Sequence, residues 1–301
     1  MERRAFGSTG LQVSPIALGG FPFGGVHRAA GWDPFSAEGR RTALATIDRA
    51  LERGINYVDT APCYGGGNSE EIIGDGLAGR RNDIILATKC PWQDDAATVE
   101  RSIEASLRRL STDRIDVIQF HGGMFTADDI EHILHGGPLD ALRRVRDQGK
   151  VRYLGFTCEE PWTARPLIAS GQFDMIQLRY NLIYQSAALH ALNEARDAGL
   201  GMAVMRPMTS GMLQRTLHFL QPAWRSEDVY EVALKFVLSD SRVQVANVGM
   251  RWPDEVNRNV DLAERFTPQT DLADLPRMTA GIYRAEDEDA AMLESRRPMP
   301  R

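Results

Sequence analysis

Short apolar runs, rich in β-branched residues and mostly without alternation, recur along the chain between longer amphipathic stretches. Eight of them read as strands: Val13 to Gly20, Ile55 to Ala61, Ile84 to Cys90, Ile115 to His121, Val151 to Thr157, Met175 to Asn181, Gly201 to Pro207 and Val243 to Met250. Continuous apolarity of this kind suits parallel strands that are covered on the outside. The stretches between them have helical spacing. Val99, Ile103, Leu107 and Leu110 share one helix face, as do Val229, Val232, Ala233, Phe236 and Val237. Gly54, Gly149 and Gly199 each follow a helix just before a strand, where a left-handed cap turns the chain back.

The strand–helix unit repeats about every 30 residues, the size of one βαβ unit. Eight units with no Pro/Ser-rich linker predict an α/β fold, a closed (β/α)8 TIM barrel. An open doubly wound sheet is the rival, but its G-x-G-x-x-G turn after the first strand is missing. RRAFGSTGLQ, ahead of the barrel, reads as a short N-terminal hairpin, and the chain after Phe266 becomes a polar C-terminal tail. A single domain over 1–301 follows, with its core at about 6–266 and a tail at 267–301.

Composition narrows the function classes. Forty-three per cent apolar residues supply a sizeable core, and a net charge of −6 without a basic stripe argues against nucleic acid. MERRAFGSTG lacks a signal-peptide run and no apolar run is long enough to cross a bilayer, so a cytoplasmic location is expected. Cys63, Cys90 and Cys158 are far apart and form no C-x-x-C, which suggests neither a disulfide framework nor a zinc site. His132 and His135 have no third ligand in view, so no metal is expected.

The candidate chemistry sits at strand ends. Asp59 ends one strand, Lys89 the next and His121 the one after, while Tyr64 follows Asp59 just ahead of Gly65, Gly66 and Gly67. Catalytic groups of such barrels collect at that end. A lysine beside a tyrosine favours the phenolate, and a carboxylate keeps the ammonium oriented. His121 could direct a carbonyl oxygen while Tyr64 gives or takes the proton. Each residue alone has a structural reading: a strand-end cap, a rim charge, a loop-packing ring or a satisfied histidine. The order of all four favours the catalytic one.

The segments FGSTGLQVSPIALGG, NYVDTAPCYGGGNSEEIIGDGL, ATKC, SLRRLSTDRIDVIQFH, GKVRYLGFT, FDMIQLRYN, VMRPMTSGML and VGMRWPDEVNRN resemble, over about Phe6 to Phe266, the aldo-keto reductases. The resemblance implies an Asp–Tyr–Lys–His tetrad at Asp59, Tyr64, Lys89 and His121. It also implies NADP(H), or alternatively NAD(H), across the barrel mouth. Gly20, Thr157, Cys158, Gln177 and Met205 then lie near the nicotinamide. Arg206, Pro207, Thr209, Ser210, Gly211 and Leu213 face the pyrophosphate, and Gly249, Met250, Arg251, Glu255, Arg258 and Asn259 the adenosine. Cys158 departs from the family's usual polar residue. Glu255 stands where many members that use NADPH place an arginine, with Arg251 and Arg258 as replacements, so the lean is to NADPH. Phe21, Phe23, Trp32, Trp92, Met124 and Phe125, in loops after strands, are expected to line an apolar pocket for a small-molecule carbonyl or sugar substrate. Three functions are consistent with these residues: a carbonyl reductase, an NAD-linked aldose or polyol dehydrogenase, and a cofactor-binding regulatory subunit with negligible turnover. Neither the substrate nor the oligomeric state is legible.

Overall fold

A computed structural model of the chain describes residues 1–25, 31–223 and 226–274. Strands β1 (Arg4–Ala5) and β2 (Gln12–Val13) form an antiparallel hairpin. Eight parallel strands follow: β3 (Ile16–Gly19), β4 (Tyr57–Asp59), β5 (Ile85–Cys90), β6 (Ile115–Phe120), β7 (Val151–Cys158), β8 (Met175–Arg179), β9 (Gly201–Met205) and β10 (Val245–Gly249). They close into a barrel in chain order, with β10 paired to β3. The (β/α)8 expectation is met, strand for strand.

Local chemistry sets the boundaries. The run expected at Val13 to Gly20 divides in two, because Pro15 has no N–H to give a ladder and the Ser14 hydroxyl bonds to the Ile16 carbonyl at 2.7 Å. Gly54, Gly149 and Gly199 have φ of 86°, 76° and 73°, the left-handed caps anticipated. Val232 departs from the expected face and is 52 % exposed, whereas Val229, Ala233 and Val237 are buried. Those three recur every fourth residue, and Val232 falls beyond the edge of their stripe. Within the expected tail the Leu272 amide bonds to the Ser239 carbonyl at 2.9 Å. Most of that tail, residues 275–301, lies outside the described residues. No helix among the described residues is long and apolar enough to cross a membrane.

The core has two compartments. One lies between the strands and the outer helices. The other fills the barrel, where Ala17, Ala87 and Ala203 pack near Tyr57, Val117, Met175 and Val245, and Phe6 of the hairpin enters from below. The Phe6 and Tyr57 rings meet edge to face at 5.6 Å. These small residues leave room for the large ones of the next layer, the alternation a filled barrel needs. Above them the layer turns polar.

Candidate active site

Lys89 and Asp59 are both buried, at 2 % and 1 % exposure, at the upper ends of β5 and β4. The Lys89 Nζ donates to Asp59 Oδ2 and to the Thr60 carbonyl, each at 2.7 Å. Burying two charges is costly unless they pair and their remaining valences are met. Here they are. Asp59 Oδ1 accepts from Gln119 Nε2 at 2.9 Å and Gln177 Nε2 at 3.0 Å, and Oδ2 also accepts from Asn247 Nδ2 at 2.8 Å.

Tyr64 opens the glycine turn after β4, and its ring centroid is 4.9 Å from Lys89 Nζ. The turn is a short 3-10 segment, Tyr64–Gly67, leading into the helix Asn68–Gly76. Gly65 has φ of 65°, and a Cβ there would stand 2.7 Å from the Gly24 carbonyl oxygen. Only glycine lets the two loop backbones approach that closely. Glu70, fully buried, anchors the helix by accepting from the Thr88 hydroxyl at 2.6 Å and Arg109 Nε at 2.7 Å. Tyr64 is thereby tied to the strand that carries Lys89. Gly65→Ala is expected to lower stability by about 1–3 kcal/mol through backbone strain and to reduce turnover by displacing Tyr64. Chemical denaturation beside a turnover assay measures both, and a fully active variant of unchanged stability would refute the close-packing account.

His121 follows β6, and its amide bonds to the Cys90 carbonyl at 2.9 Å. Its ring faces Tyr64 edge-on, with centroids 6.0 Å apart. Cys63 Sγ is 3.5 Å from His121 Nδ1. Burial, then the positive Lys89, lower the His121 pKa to about 4, so the imidazole is neutral at pH 7. Burial works against the Lys89 ammonium, but Asp59 and Tyr64 outweigh it and raise its pKa. The Tyr64 pKa is raised, because burial exceeds the opposing pull of Lys89. Sequence reasoning anticipated the lysine's pull and not the larger effect of burial. At neutral pH Lys89 is charged, Tyr64 protonated and His121 neutral.

The expected nucleotide contacts are distributed as follows. Gly20, just past β3, takes the Ser69 hydroxyl on its carbonyl at 2.8 Å. The Thr157 hydroxyl donates to the Gly122 carbonyl and accepts from the Gly122 amide, both at 3.0 Å. Cys158 is fully buried, with its sulfur 3.2 Å from the Glu160 carbonyl and 3.3 Å from the Thr163 hydroxyl. Gln177 points into the barrel layer, and Met205 ends β9. Arg206 reaches Glu159 Oε1 through Nη2 at 2.7 Å and Nε at 3.1 Å, and Ser210 Oγ through Nη1 at 3.1 Å. Pro207 is buried. The Leu213 amide bonds to the Thr209 hydroxyl at 3.1 Å.

Arg206, Thr209, Ser210 and Gly211 have φ of 56°, 56°, 52° and 76°. Left-handed non-glycine residues are uncommon, and such strain gathers at ligand sites. A strained loop with an arginine, at the mouth and at the start of the helix Met212–Leu220, fits an anionic group such as a pyrophosphate. Gly249, which ends β10, is exposed, and Met250 just beyond it is buried. The Glu255 carboxylate accepts from the Arg251 amide at 2.6 Å and the Trp252 amide at 3.4 Å, as a residue capping the helix Pro253–Arg265 does. Arg258 is exposed and Asn259 half-buried on that helix.

The expected pocket residues differ in exposure. Phe21 and Met124 are exposed, and the Phe21 ring meets Tyr64 edge-on at 5.1 Å. Phe23, Trp32, Trp92 and Phe125 are buried within the loops. Trp32 donates to the Pro22 carbonyl at 2.9 Å, and the Trp92 and Phe125 rings pair at 5.6 Å. Sequence reasoning missed Gln119 and Asn247, whose signal was a lone polar residue at an inward position of an apolar strand. It also missed Glu159 and Glu160, which pair with Arg206 and Arg179. Among the described residues no group of His, Cys, Asp or Glu could hold a metal ion.

Three comparisons bear on this geometry. The model of the Aldo/keto reductase family matches residues 15–278. An uncharacterized oxidoreductase of Bacillus subtilis, YqkF, is 31 % identical over 193 residues, which cover 60 % of this chain and 57 % of that protein. L-galactose dehydrogenase of Arabidopsis thaliana is 29 % identical over 296 residues, 86 % of this chain and 87 % of that enzyme. The holo form of an aldo-keto reductase from Bacillus halodurans superposes with a TM-score of 0.73 at 28 % identity, covering 90 % of this chain and 93 % of its own.

Proposed function

This chain belongs to the aldo-keto reductase family of NAD(P)H-dependent oxidoreductases, and from that membership we propose that it interconverts an aldehyde, ketone or sugar carbonyl with its alcohol, Tyr64 being the proton donor and acceptor. One observation carries the reading. Lys89, 2.7 Å from Asp59 and 4.9 Å from the Tyr64 ring, joins Tyr64 and His121 at the ends of three successive barrel strands.

Each side chain has a task. Neutral His121 donates a ring N–H to the carbonyl oxygen and sets its direction. Tyr64 passes its hydroxyl proton to that oxygen, and Lys89 stabilises the phenolate left behind. Asp59 keeps Lys89 charged and aimed. A bound nicotinamide dinucleotide supplies or accepts the hydride. Gly20, Thr157, Gln177 and Met205 would hold its nicotinamide end. Arg206 with residues 207–213 would hold the pyrophosphate, and Gly249, Met250, Arg251, Arg258 and Asn259 the adenosine. Phe21 and Met124 offer the exposed apolar surface against which an aldehyde or a sugar face can lie. The relative named L-galactose dehydrogenase supports including sugars in the substrate class.

Glu255 favours an NAD-linked enzyme as the second reading. Its carboxylate is hydrogen-bonded at the start of the helix Pro253–Arg265, where the resemblance puts the 2′-phosphate of NADPH. Arg251 and Arg258 pull the other way. A fixed like charge costs about 1–2 kcal/mol at contact distance in water, about five- to thirtyfold in binding. On this second reading, NADH binds at least as tightly as NADPH in fluorescence titrations. Glu255→Gln keeps a capping oxygen and should strengthen NADPH alone. Tighter NADPH binding by the unaltered protein would return the preference to the arginines, and absence of binding by either nucleotide would remove the oxidoreductase reading.

A further inference from the structure

Asp59, Gln119, Gln177 and Asn247 come from β4, β6, β8 and β10, alternate strands of the barrel, and form one layer of its interior. Such layers are ordinarily built of bulky branched apolar residues. Here one carboxylate is ringed by three amides. Gln177 Nε2 also donates to Gln119 Oε1 at 3.1 Å, and Asn247 Nδ2 to Gln177 Oε1 at 3.3 Å. A carboxylate only accepts, so the amide orientations follow from the ring itself.

We infer that Asn247 and Gln119 are positioning residues which, acting through Asp59, set how strongly the Lys89–Asp59 pair favours the ionised form of Tyr64. The inference rests on the reading of Lys89 and Tyr64 as the proton-handling pair. Oδ2 of Asp59 is shared between Lys89 and Asn247, while Oδ1 is held by Gln119 and Gln177. Each N–H aims its positive end at the carboxylate and offsets part of its charge. Without one of these donors, Asp59 neutralises Lys89 more fully, and less positive potential reaches the Tyr64 oxygen. Among the described residues, the other titratable groups facing Tyr64 are His121, beyond β6, and Cys63 in its own loop. The substitutions leave both in place.

The test reads Tyr64 directly. Tyrosinate absorbance is followed within milliseconds of an alkaline pH jump, before the chain unfolds, and subtracting the Tyr64→Phe counterpart of each protein isolates one phenol. In Asn247→Leu and in Gln119→Met, which keeps the glutamine's volume, the ionisation midpoint should move to higher pH. The ionisation constant should fall about threefold or more. Unmoved or lowered midpoints in folded variants would overturn the inference. If leucine prevents folding, Asn247→Ser removes the amide with less disturbance. The titration needs neither nucleotide nor substrate, so even a protein without turnover reports the effect of the layer on Tyr64.

Discussion

Tyr64→Phe is expected to bind nucleotide as the unaltered protein does and to lose turnover by about 10²- to 10⁴-fold, the usual worth of a placed general acid. The substitution removes one oxygen. The ring keeps its edge contacts with Phe21 at 5.1 Å and His121 at 6.0 Å, so the loop that carries it has no reason to move. Lys89 remains paired to Asp59. On the proposed mechanism, what disappears is the hydroxyl proton that passes to the carbonyl oxygen as hydride reaches carbon. His121, with a pKa lowered to about 4 by burial and by Lys89, holds no second acidic proton at pH 7. The direction of the pH dependence follows from Tyr64 itself, whose pKa is raised by burial against the pull of Lys89. Reduction needs the phenol and should be flat through neutral pH. Oxidation needs the phenolate and should quicken as pH rises. Steady-state rates in both directions, beside a fluorescence titration of the nucleotide, check all of this. Near-normal turnover of Tyr64→Phe would end the assignment of Tyr64.

The barrel was legible because its signal is periodic. Eight apolar runs at regular spacing have few closed arrangements, and each appears as a strand. The convergence of Asp59, Tyr64, Lys89 and His121 was legible for a different reason: charged and polar residues at the ends of apolar strands have no structural business there unless paired. The polar layer was harder to see. Gln119 and Asn247 sit inside runs read as continuously apolar, and a pattern averaged over a strand hides a single inward amide. Glu70, a charged residue in a motif segment, is buried against Thr88 and Arg109. Its partners lie on other elements, which no local spacing reveals. Glu255 shows the same limit in reverse. As a residue in a motif it was a charge facing a phosphate, and in the fold it is first a helix cap. The balance of pKa effects at Tyr64 depended on how deeply the ring is covered, a property of the closed barrel and not of neighbours in the chain.

Lys89→Met should abolish turnover and also destabilise the fold, by up to about 3–5 kcal/mol at pH 7, the usual result of stranding one partner of a buried ion pair. Methionine occupies most of the lysine's volume, so packing is largely spared. Asp59 is left with the Gln119, Gln177 and Asn247 amides and no countercharge. Those three donors place the loss towards the lower end. The pH dependence separates this cause from poor packing. In the unaltered protein Lys89 has a raised pKa, so its contribution is complete below the ordinary value of 10.5 and is lost only as pH rises beyond that. In the variant the uncompensated charge moves to Asp59. A buried carboxylate without its cation has a folded pKa above the usual ~3.9, so it binds its proton more readily folded than unfolded. The stability deficit should therefore be small near pH 4 and grow as pH rises towards 7. Denaturant titrations at the two pH values measure it. Asp59→Asn added to Lys89→Met should recover stability at pH 7, because the uncompensated charge is gone, while turnover stays lost. A deficit equal at both pH values, or a double variant no more stable than Lys89→Met, would mean that the pair contributes by shape and not by charge.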